Sequence, residues 1–270
     1  MSSSEQLPPP GRVRREPPSF RQVEVHRVER LSPRLIRVTL AGPSLEGLTM
    51  EEPAASVRLL LPPAGDHDLV MPSWNGNEFL RADGGRPTIR TFTPARSDPS
   101  ALELDLEIVT HGGGAASDWA QAATPGDSAA VSGPGRGYII DTRAPAFLLA
   151  GDETAIPAIR QLLGALPEHT PAKVHVEVAD PDGRLELPAG KNVTLVWSDL
   201  PSGAPSGETL VAAVAAARLG AGTRIWAAGE AAAMQRIRRQ LFDDQALPRS
   251  QATVRGYWKH GRAEDTSEDQ

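Results

Sequence analysis

The chain has 270 residues, 40% of them hydrophobic, with a formal net charge of −6 at pH 7. This length is sufficient for two compact domains with separate cores. The acidic balance, with no basic run outside the N-terminal tail, argues against nucleic acid as a partner. Because cysteine is absent, disulfides and thiolate metal sites are excluded, which fits a reducing compartment.

Targeting and metal-binding signals are missing from the sequence. No stretch approaches the roughly 20 apolar residues that span a bilayer, and no apolar leader segment follows the N-terminus. We therefore expect a cytoplasmic protein without a membrane partner. The six histidines are scattered without metal-ligand spacing, so no metal site is expected. Residues 1–19, rich in Ser, Pro and Arg, and the acidic residues 263–270 are expected to be disordered.

The first half of the chain has a β pattern. Short apolar or alternating runs begin after Phe20 and are separated by Pro and Gly before any convincing helix appears. This pattern predicts a small antiparallel barrel over residues 20–143. The long connection 62–86 is typical of a functional or mobile loop, in which Trp74 and Phe79 either pin the loop or pack over a ligand.

From Ala146 the pattern changes to alternating strands and helices, which predicts a mostly parallel, doubly wound sheet over residues 144–262. Ligands of such sheets bind beyond the carboxyl ends of the strands, where Gly151-Asp152-Glu153-Thr154 and Gly229-Glu230 fall. A nicotinamide nucleotide is the natural ligand here, although both glycines also suit ordinary strand-to-helix turns. The Gly-x-Gly-x-x-Gly fingerprint is absent, so this is not the common dehydrogenase motif.

The stretch Arg90-Thr91-Phe92-Thr93 alternates like a strand, with Arg90 and Phe92 on one face. A cation and an aromatic ring that face one pocket suit an aromatic ligand carrying phosphate. A plain surface strand is the alternative interpretation. The hydroxyls of Thr91 and Thr93 lie nominally on the other face.

Three glycines, Gly112 to Gly114, follow His111 and precede an alanine-rich helical run at residues 115–123. Bare backbone amides at a helix N-terminus bind pyrophosphate well, because unpaired N–H groups and the helix dipole both favour negative charge. The alternative is a simple loop or hairpin. Together with the preceding strand, this amide nest describes a site for a flavin dinucleotide.

Five stretches, taken in order, resemble the motif series of the siderophore-interacting proteins, a branch of the ferredoxin-reductase-like flavoproteins. They are Arg90-Thr91-Phe92-Thr93, His111 to Trp119, Ala150 to Ala155, Trp226 to Glu230 and Gly256 to Lys259. The resemblance runs from about Phe20 to Glu264. It implies an FAD-dependent ferric-siderophore reductase that passes electrons from NADH or NADPH through the flavin to chelated Fe(III) and releases iron in the cytoplasm. A reduced ferredoxin is an alternative donor.

The resemblance also implies site residues. Thr93 is expected at flavin N5, as the residue closest to the chemistry. Cofactor contacts are expected from Arg90, Thr91, Phe92, Thr93, Arg96, His111, Gly112, Gly114, Ala116, Ser117, Trp119, Gly151, Asp152, Glu153, Thr154, Gly229 and Glu230. Arg58, Arg255 and Lys259 are expected to hold the anionic ferric chelate.

Two departures from the family pattern stand out. Phe92 replaces the usual Tyr, so the ring is kept and its hydroxyl is lost. Arg96 lies one place beyond the family's second arginine, which in a regular strand moves it to the opposite face. A bulge at Pro94 would restore the family arrangement.

Some alternatives remain open from the sequence. Asp199 follows a predicted strand and would accept a ribose 2′-hydroxyl, which slightly favours NADH over NADPH. A general NAD(P)H–flavin oxidoreductase with another acceptor and a siderophore carrier without turnover are alternative functions.

Overall fold

The computed structural model describes residues 17–261. Most of the predicted N-terminal tail, residues 1–19, and all of the predicted tail 263–270 lie outside the described residues. Within the described range, none of the helices has the length and hydrophobicity that a membrane crossing requires.

The first half of the chain forms an antiparallel sheet. Its strands and one small ribbon are β1 (Arg21–Ser32), β2 (Leu35–Ala41), β3 (Val57–Leu61), β4 (Ser73–Trp74), β5 (Phe79–Leu80), β6 (Thr88–Phe92), β7 (Arg96–Asp98), β8 (Glu103–Val109) and β9 (Ser128–Ser132). Seven of them pair in the order β6-β3-β9-β1-β2-β8-β7, and β4 pairs with β5. All these pairs are antiparallel, so the predicted barrel architecture is confirmed as a curved, half-closed sheet.

The core of this sheet follows from the alternation of its strands. Val38 and Leu40 of β2 and Leu104 and Leu106 of β8 point to one face and have no exposed surface. Burying a side chain of this kind contributes roughly 1.5–3 kcal/mol. Helix α1 (Ala115–Ala122) covers this core between β8 and β9, and it packs through Ala120.

The second half is the predicted doubly wound sheet. Its elements are β10 (Phe147–Asp152), α2 (Ile156–Ala165), β11 (Ala172–Val178), β12 (Val193–Asp199), α3 (Glu208–Ala216), β13 (Arg224–Glu230), α4 (Ala231–Arg239) and β14 (Ala252–Trp258). The strands run parallel in the order β12-β11-β10-β13-β14. The order reverses between β10 and β13, which makes their carboxyl ends the topological switch point where such sheets bind ligands.

Reciprocal ion pairs join the two halves. Arg34, in the turn between β1 and β2, donates to the buried carboxylate of Glu153 over 3.1 Å. In the opposite sense, Glu107 of β8 has a fully buried side chain and accepts from Arg160 of α2 over 3.1 Å and from Arg37 over 2.7 Å. Removing one member of such a group would leave an uncompensated buried charge, so these contacts hold the halves in one orientation. The domain bounds 20–143 and 144–262 stay a prediction, with one sheet on each side.

Candidate functional site

Strand β6 presents the predicted cation and ring on one face. Its register with β3 pairs Arg90 with Leu59 and Phe92 with Val57, and the Phe92 ring packs against the barrel core. Thr91 faces outwards, opposite the exposed Arg58. The guanidinium of Arg90 donates to the carbonyl of Ile89 over 2.8 Å and makes no ion pair within residues 17–261. This cation is therefore available to an anionic ligand.

The corner after β6 is fixed from the second half of the chain. Gln161 of α2 donates to the carbonyl of Pro94 over 2.6 Å, and its side-chain oxygen accepts the amide of Ala54 over 2.7 Å. The adjacent Thr93 is buried, and its Oγ1 lies 3.4 Å from the phenol oxygen of Tyr257. Sequence reasoning missed Gln161, because a single glutamine on a helix carries no local signal of a partner on another sheet.

Arg96 is committed to protein carboxylates. Its Nε donates to Asp105 over 2.8 Å, and its two terminal nitrogens donate to Asp98 and Glu103. The chain forms no bulge at Pro94, since β6 ends at Phe92 and β7 begins at Arg96 against β8. With three acidic partners, Arg96 binds within its own sheet, and its predicted role as a phosphate ligand is not supported by these contacts.

The glycine loop leads into an uncapped helix. No side chain caps the N-terminus of α1, and Gly113 has a left-handed backbone with φ +76°. A Cβ at Gly112 or Gly113 would meet nothing within 4 Å, so the surface above the loop is open. The amide of Gly114 reaches the carboxylate of Asp118 over 3.3 Å. Open backbone and an uncapped helix start are the features that a phosphate requires.

Other predicted residues of this segment shape the loop. Ser117 is buried, and its hydroxyl accepts from the His111 amide over 3.0 Å and donates to the His111 carbonyl over 2.8 Å, which closes the loop on the helix. Gly114 lies against the exposed His111 ring, which a Cβ would meet at 2.8 Å. Ala116 and Trp119 pack on the barrel core, and the Trp119 indole N–H is buried without an acceptor among the described residues. A bound ligand that accepts this hydrogen would relieve that deficit. The loop thus fits a dinucleotide.

The carboxyl edge of the parallel sheet is tied together by Asp152. Its carboxylate accepts from the Thr154 amide over 3.0 Å and the Thr154 hydroxyl over 2.5 Å. It also accepts from the Glu230 amide over 2.9 Å and the Trp258 indole over 2.8 Å. Burial raises the pKa of Asp152 to about 6, against the lowering effect of these hydrogen bonds. Gly229 admits this carboxylate, because a Cβ there would lie 2.5 Å from it. Asp152 therefore links the ends of β10, β13 and β14.

The other predicted carboxylates at this edge also have protein partners. Glu153 pairs with Arg34 and accepts the amide of Ala179 over 3.1 Å. Glu230 caps α4 by accepting the Ala233 amide over 2.9 Å. At Gly151 a Cβ would lie 2.4 Å from that of Ala155, so a glycine is needed for close packing. Nucleotide contacts from these residues stay predictions, and the structure shows each side chain already engaged.

Asp199 does not present a free carboxylate. Arg184 donates to both of its oxygens, over 2.6 and 2.7 Å, at the exposed carboxyl end of β12. The expectation that Asp199 favours NADH assumed an unpaired acid. The guanidinium of Arg184 weakens the argument for NADH, because a 2′-phosphate of NADPH would find a cationic partner at the same place.

Cations border the loop that follows β9. Arg255 donates to the carbonyls of Arg136 over 3.3 Å and Gly137 over 2.9 Å. Arg58 pairs in register with Ser132, at the start of the same loop. Arg136 itself is exposed. Lys259 is exposed just beyond β14, without an ion pair in the described part of the chain.

Both halves match family models. Residues 24–138 match the siderophore-interacting FAD-binding domain, and residues 144–261 match the siderophore-interacting protein model. The crystal structure of a siderophore utilization protein from T. fusca is 33% identical, with a TM-score of 0.80 over 93% of this chain and 97% of that chain. A ferredoxin reductase in carbazole 1,9a-dioxygenase, 15% identical with a TM-score of 0.66 over 90% of this chain and 70% of that one, shares the fold.

Two curated relatives are named as reductases. The NADPH-dependent ferric-chelate reductase of Escherichia coli (strain K12) is 36% identical over 158 residues, 58% of this chain and 61% of the relative. The ferric vibriobactin reductase ViuB of Vibrio cholerae is 26% identical over 252 residues, 91% of each chain.

An antiparallel half-barrel that matches an FAD-binding domain, followed by a parallel, doubly wound sheet, defines a flavoprotein with the ferredoxin-reductase-like fold. The chain belongs to the siderophore-interacting protein family. The predicted family, fold class and FAD cofactor are thereby confirmed. The activity named for the Escherichia coli relative agrees with the predicted class of NAD(P)H-dependent oxidoreductase.

Proposed function

We propose that this protein is a ferric-siderophore reductase that passes electrons from NADH or NADPH through FAD to chelated Fe(III). The observation that carries the proposal is the meeting of the two halves at Thr93. This residue closes the strand motif expected to hold the flavin, and its hydroxyl lies 3.4 Å from Tyr257 at the end of β14. Tyr257 is followed by Trp258, which bonds Asp152 at the switch point. A flavin on the motif would thus lie near a nicotinamide at the sheet edge.

The chain's own groups have separate tasks in this proposal. Arg90 binds one phosphate of FAD, and the amides of the Gly112 to Gly114 loop bind another. Phe92 packs along the ring system, and Thr93 donates a hydrogen bond at N5, where reduction places charge. FAD, when bound, accepts a hydride and releases electrons singly. The donor nucleotide binds at the sheet edge, where Gly151 admits Ala155 and Gly229 admits the carboxylate of Asp152.

The iron chelate is the substrate in this proposal, and the cations at the loop after β9 are its binding groups. Arg136 belongs to this loop, Arg58 and Arg255 border it, and Lys259 follows Arg255 along the chain just beyond β14. An acidic group at the loop is Glu52, which accepts the Gly137 amide over 3.1 Å. A ferric siderophore that carries negative charge would be attracted there. Reduction to Fe(II) weakens binding by hard oxygen ligands, so iron is released without a protein ligand. We place the reaction in the cytoplasm, with a reduced ferredoxin as an alternative donor.

Purified protein supplied with FAD under anaerobic conditions tests the proposal. We expect bound flavin, bleaching of its absorbance by NADH or NADPH, and formation of a trapped ferrous complex when a ferric siderophore is added. Bleaching without ferrous product would indicate a flavin oxidoreductase with another acceptor. Chelate binding by a protein that takes up no FAD would indicate a carrier instead, and would overturn the reductase.

A further inference from the structure

Tyr257 occupies an irregular position in β14. The parallel register pairs Gly229 with Gly256 and then Glu230 with Trp258, so Tyr257 is an extra residue without a partner in β13. Bulges in parallel pairs are rare, and bulges beside active sites commonly re-aim a side chain. The sheet is thus interrupted at the residue that reaches the other half of the molecule.

The aromatic ring of Tyr257 is held on two sides. Trp226, which has no exposed surface, packs edge-on against it with ring centres 6.2 Å apart and an interplanar angle of 78°. The next residue, Trp258, is anchored by its bond to Asp152. A ring fixed in this way gives its hydroxyl a defined position.

The hydroxyl of Tyr257 has one hydrogen-bond partner within residues 17–261, the Oγ1 of Thr93 at 3.4 Å. This distance is longer than the usual 2.7–2.8 Å of such a bond. Burial raises the pKa of Tyr257, so the group stays a phenol and can donate. A threonine hydroxyl carries one hydrogen and two lone pairs. When Thr93 accepts from Tyr257, its own hydrogen points elsewhere.

We infer that Tyr257 is a positioning residue that donates to Thr93 and so directs the Thr93 hydrogen towards the flavin. The inference rests on the proposed position of Thr93 at the FAD. Phe92 stands where the family usually has Tyr, so the motif itself lacks a phenol. Tyr257, from the second half of the chain, supplies a phenol at this place instead. The two hydroxyls form a contact across the junction between residues 164 positions apart.

The flavin midpoint potential of the Tyr257→Phe protein tests the inference. Loss of one hydrogen bond should weaken binding of reduced FAD relative to oxidised FAD about fivefold. For a two-electron couple this ratio lowers the potential by about 20 mV. Tyr257→Phe should cause no further shift in a Thr93→Val background, whereas Thr93→Ser, which keeps the hydroxyl, should retain the effect of Tyr257. The visible spectrum of the bound flavin should follow the same pattern.

The chain offers a matched control in its second tyrosine. Tyr138 also packs on the core of the parallel sheet, and burial likewise raises its pKa. Its phenol has no hydrogen bond in the described residues, so Tyr138→Phe should leave the potential unchanged. Thermal melting of the FAD-free variants checks that each is folded.

Three results would overturn the inference, and they differ in how much of the proposal they remove. A shift caused by Thr93→Val but not by Tyr257→Phe removes the positioning role alone. No shift from Thr93→Val removes the proposed position of Thr93 as well. An equal shift from Tyr257→Phe in the Thr93→Val background also contradicts the inference, because the phenol would then act without Thr93.

Discussion

Arg184 donates hydrogen bonds to both carboxylate oxygens of Asp199 at the carboxyl end of the outer strand β12. In doubly wound folds an acid near this edge selects NADH, and an arginine there accommodates the 2′-phosphate of NADPH. The pair therefore combines both kinds of group at one position.

Donor preference should respond to this pair. Arg184→Ala leaves Asp199 uncompensated, so we expect the ratio of kcat/KM for NADPH to that for NADH to fall about tenfold, equivalent to about 1.4 kcal/mol. Steady-state kinetics with both donors and one ferric chelate measure the ratio. Asp182→Ala, on the same exposed turn, serves as the control. An unchanged ratio in the Arg184 variant would show that the 2′ group binds elsewhere.

FAD affinity should depend on Arg90. A charge-assisted hydrogen bond contributes roughly 1.5–3 kcal/mol, so Arg90→Ala should weaken FAD binding by about one to two orders of magnitude. Quenching of flavin fluorescence in a titration gives the dissociation constant. Arg86→Ala is a matched control, because Arg86 is exposed and pairs with Glu78 over 2.7 Å. Equal affinity of the Arg90 variant and the parent would refute the phosphate contact.

The chelate site should depend on Lys259. Lys259→Ala should raise the KM for an anionic ferric chelate several-fold without changing the flavin spectrum, and the difference from the parent should shrink at high salt because screening weakens exposed charges. The chain contains a control in Lys191, which is exposed at the amino edge of the sheet before β12. If Lys259→Ala and Lys191→Ala give the same KM as the parent, Lys259 does not bind substrate.

Stability should fall in weak acid because of His175. This side chain is buried, neither ring nitrogen has a partner within residues 17–261, and burial lowers its pKa. A depressed pKa means that the folded state binds the proton less well than the unfolded chain, whose histidine pKa is about 6.5. The stabilisation is present above that pH and is lost as the pH falls through and below it.

The His175→Leu protein isolates this contribution. Asp152 has the opposite sign, since its raised pKa of about 6 favours the folded state at low pH and the advantage is lost as the pH rises through about 6. Both proteins retain Asp152, so the difference between their unfolding free energies in denaturant titrations reports His175. That difference should change in favour of the leucine protein below about pH 6.5. A difference independent of pH would contradict the prediction.

Local pattern was sufficient for the architecture and for part of the site. Period-two alternation predicted that Arg90 and Phe92 share a face, and the strand–helix alternation after Ala146 predicted the switch point at Gly151 and Gly229. These features depend on residues close in sequence. The contact of Gln161 with Pro94 joins residues 67 positions apart, and no local pattern contains such information.

Arg96 also shows that local sequence does not reveal contacts between strands. The family resemblance suggested a phosphate ligand, which the shifted spacing would allow only through a bulge at Pro94. The three acidic partners of Arg96 come instead from its own strand and the neighbouring β8. The choice between a ligand and a carboxylate depends on which strand pairs with which. Strand pairing depends on the fold of the whole sheet, which local sequence does not contain.

The reciprocal pairs Arg34–Glu153 and Arg160–Glu107 have a consequence for dissecting the molecule. A fragment that ends near residue 143 would expose Arg34 without its counter-ion and leave Glu107 with Arg37 alone, and the complementary fragment would expose Glu153 and Arg160. Each piece expressed by itself would carry a surface whose charged groups lack the partners they have in the whole chain, and such a surface favours association. Co-expression of the two pieces should let each mask the other, so the excised halves are expected to be recovered as a reassembled pair.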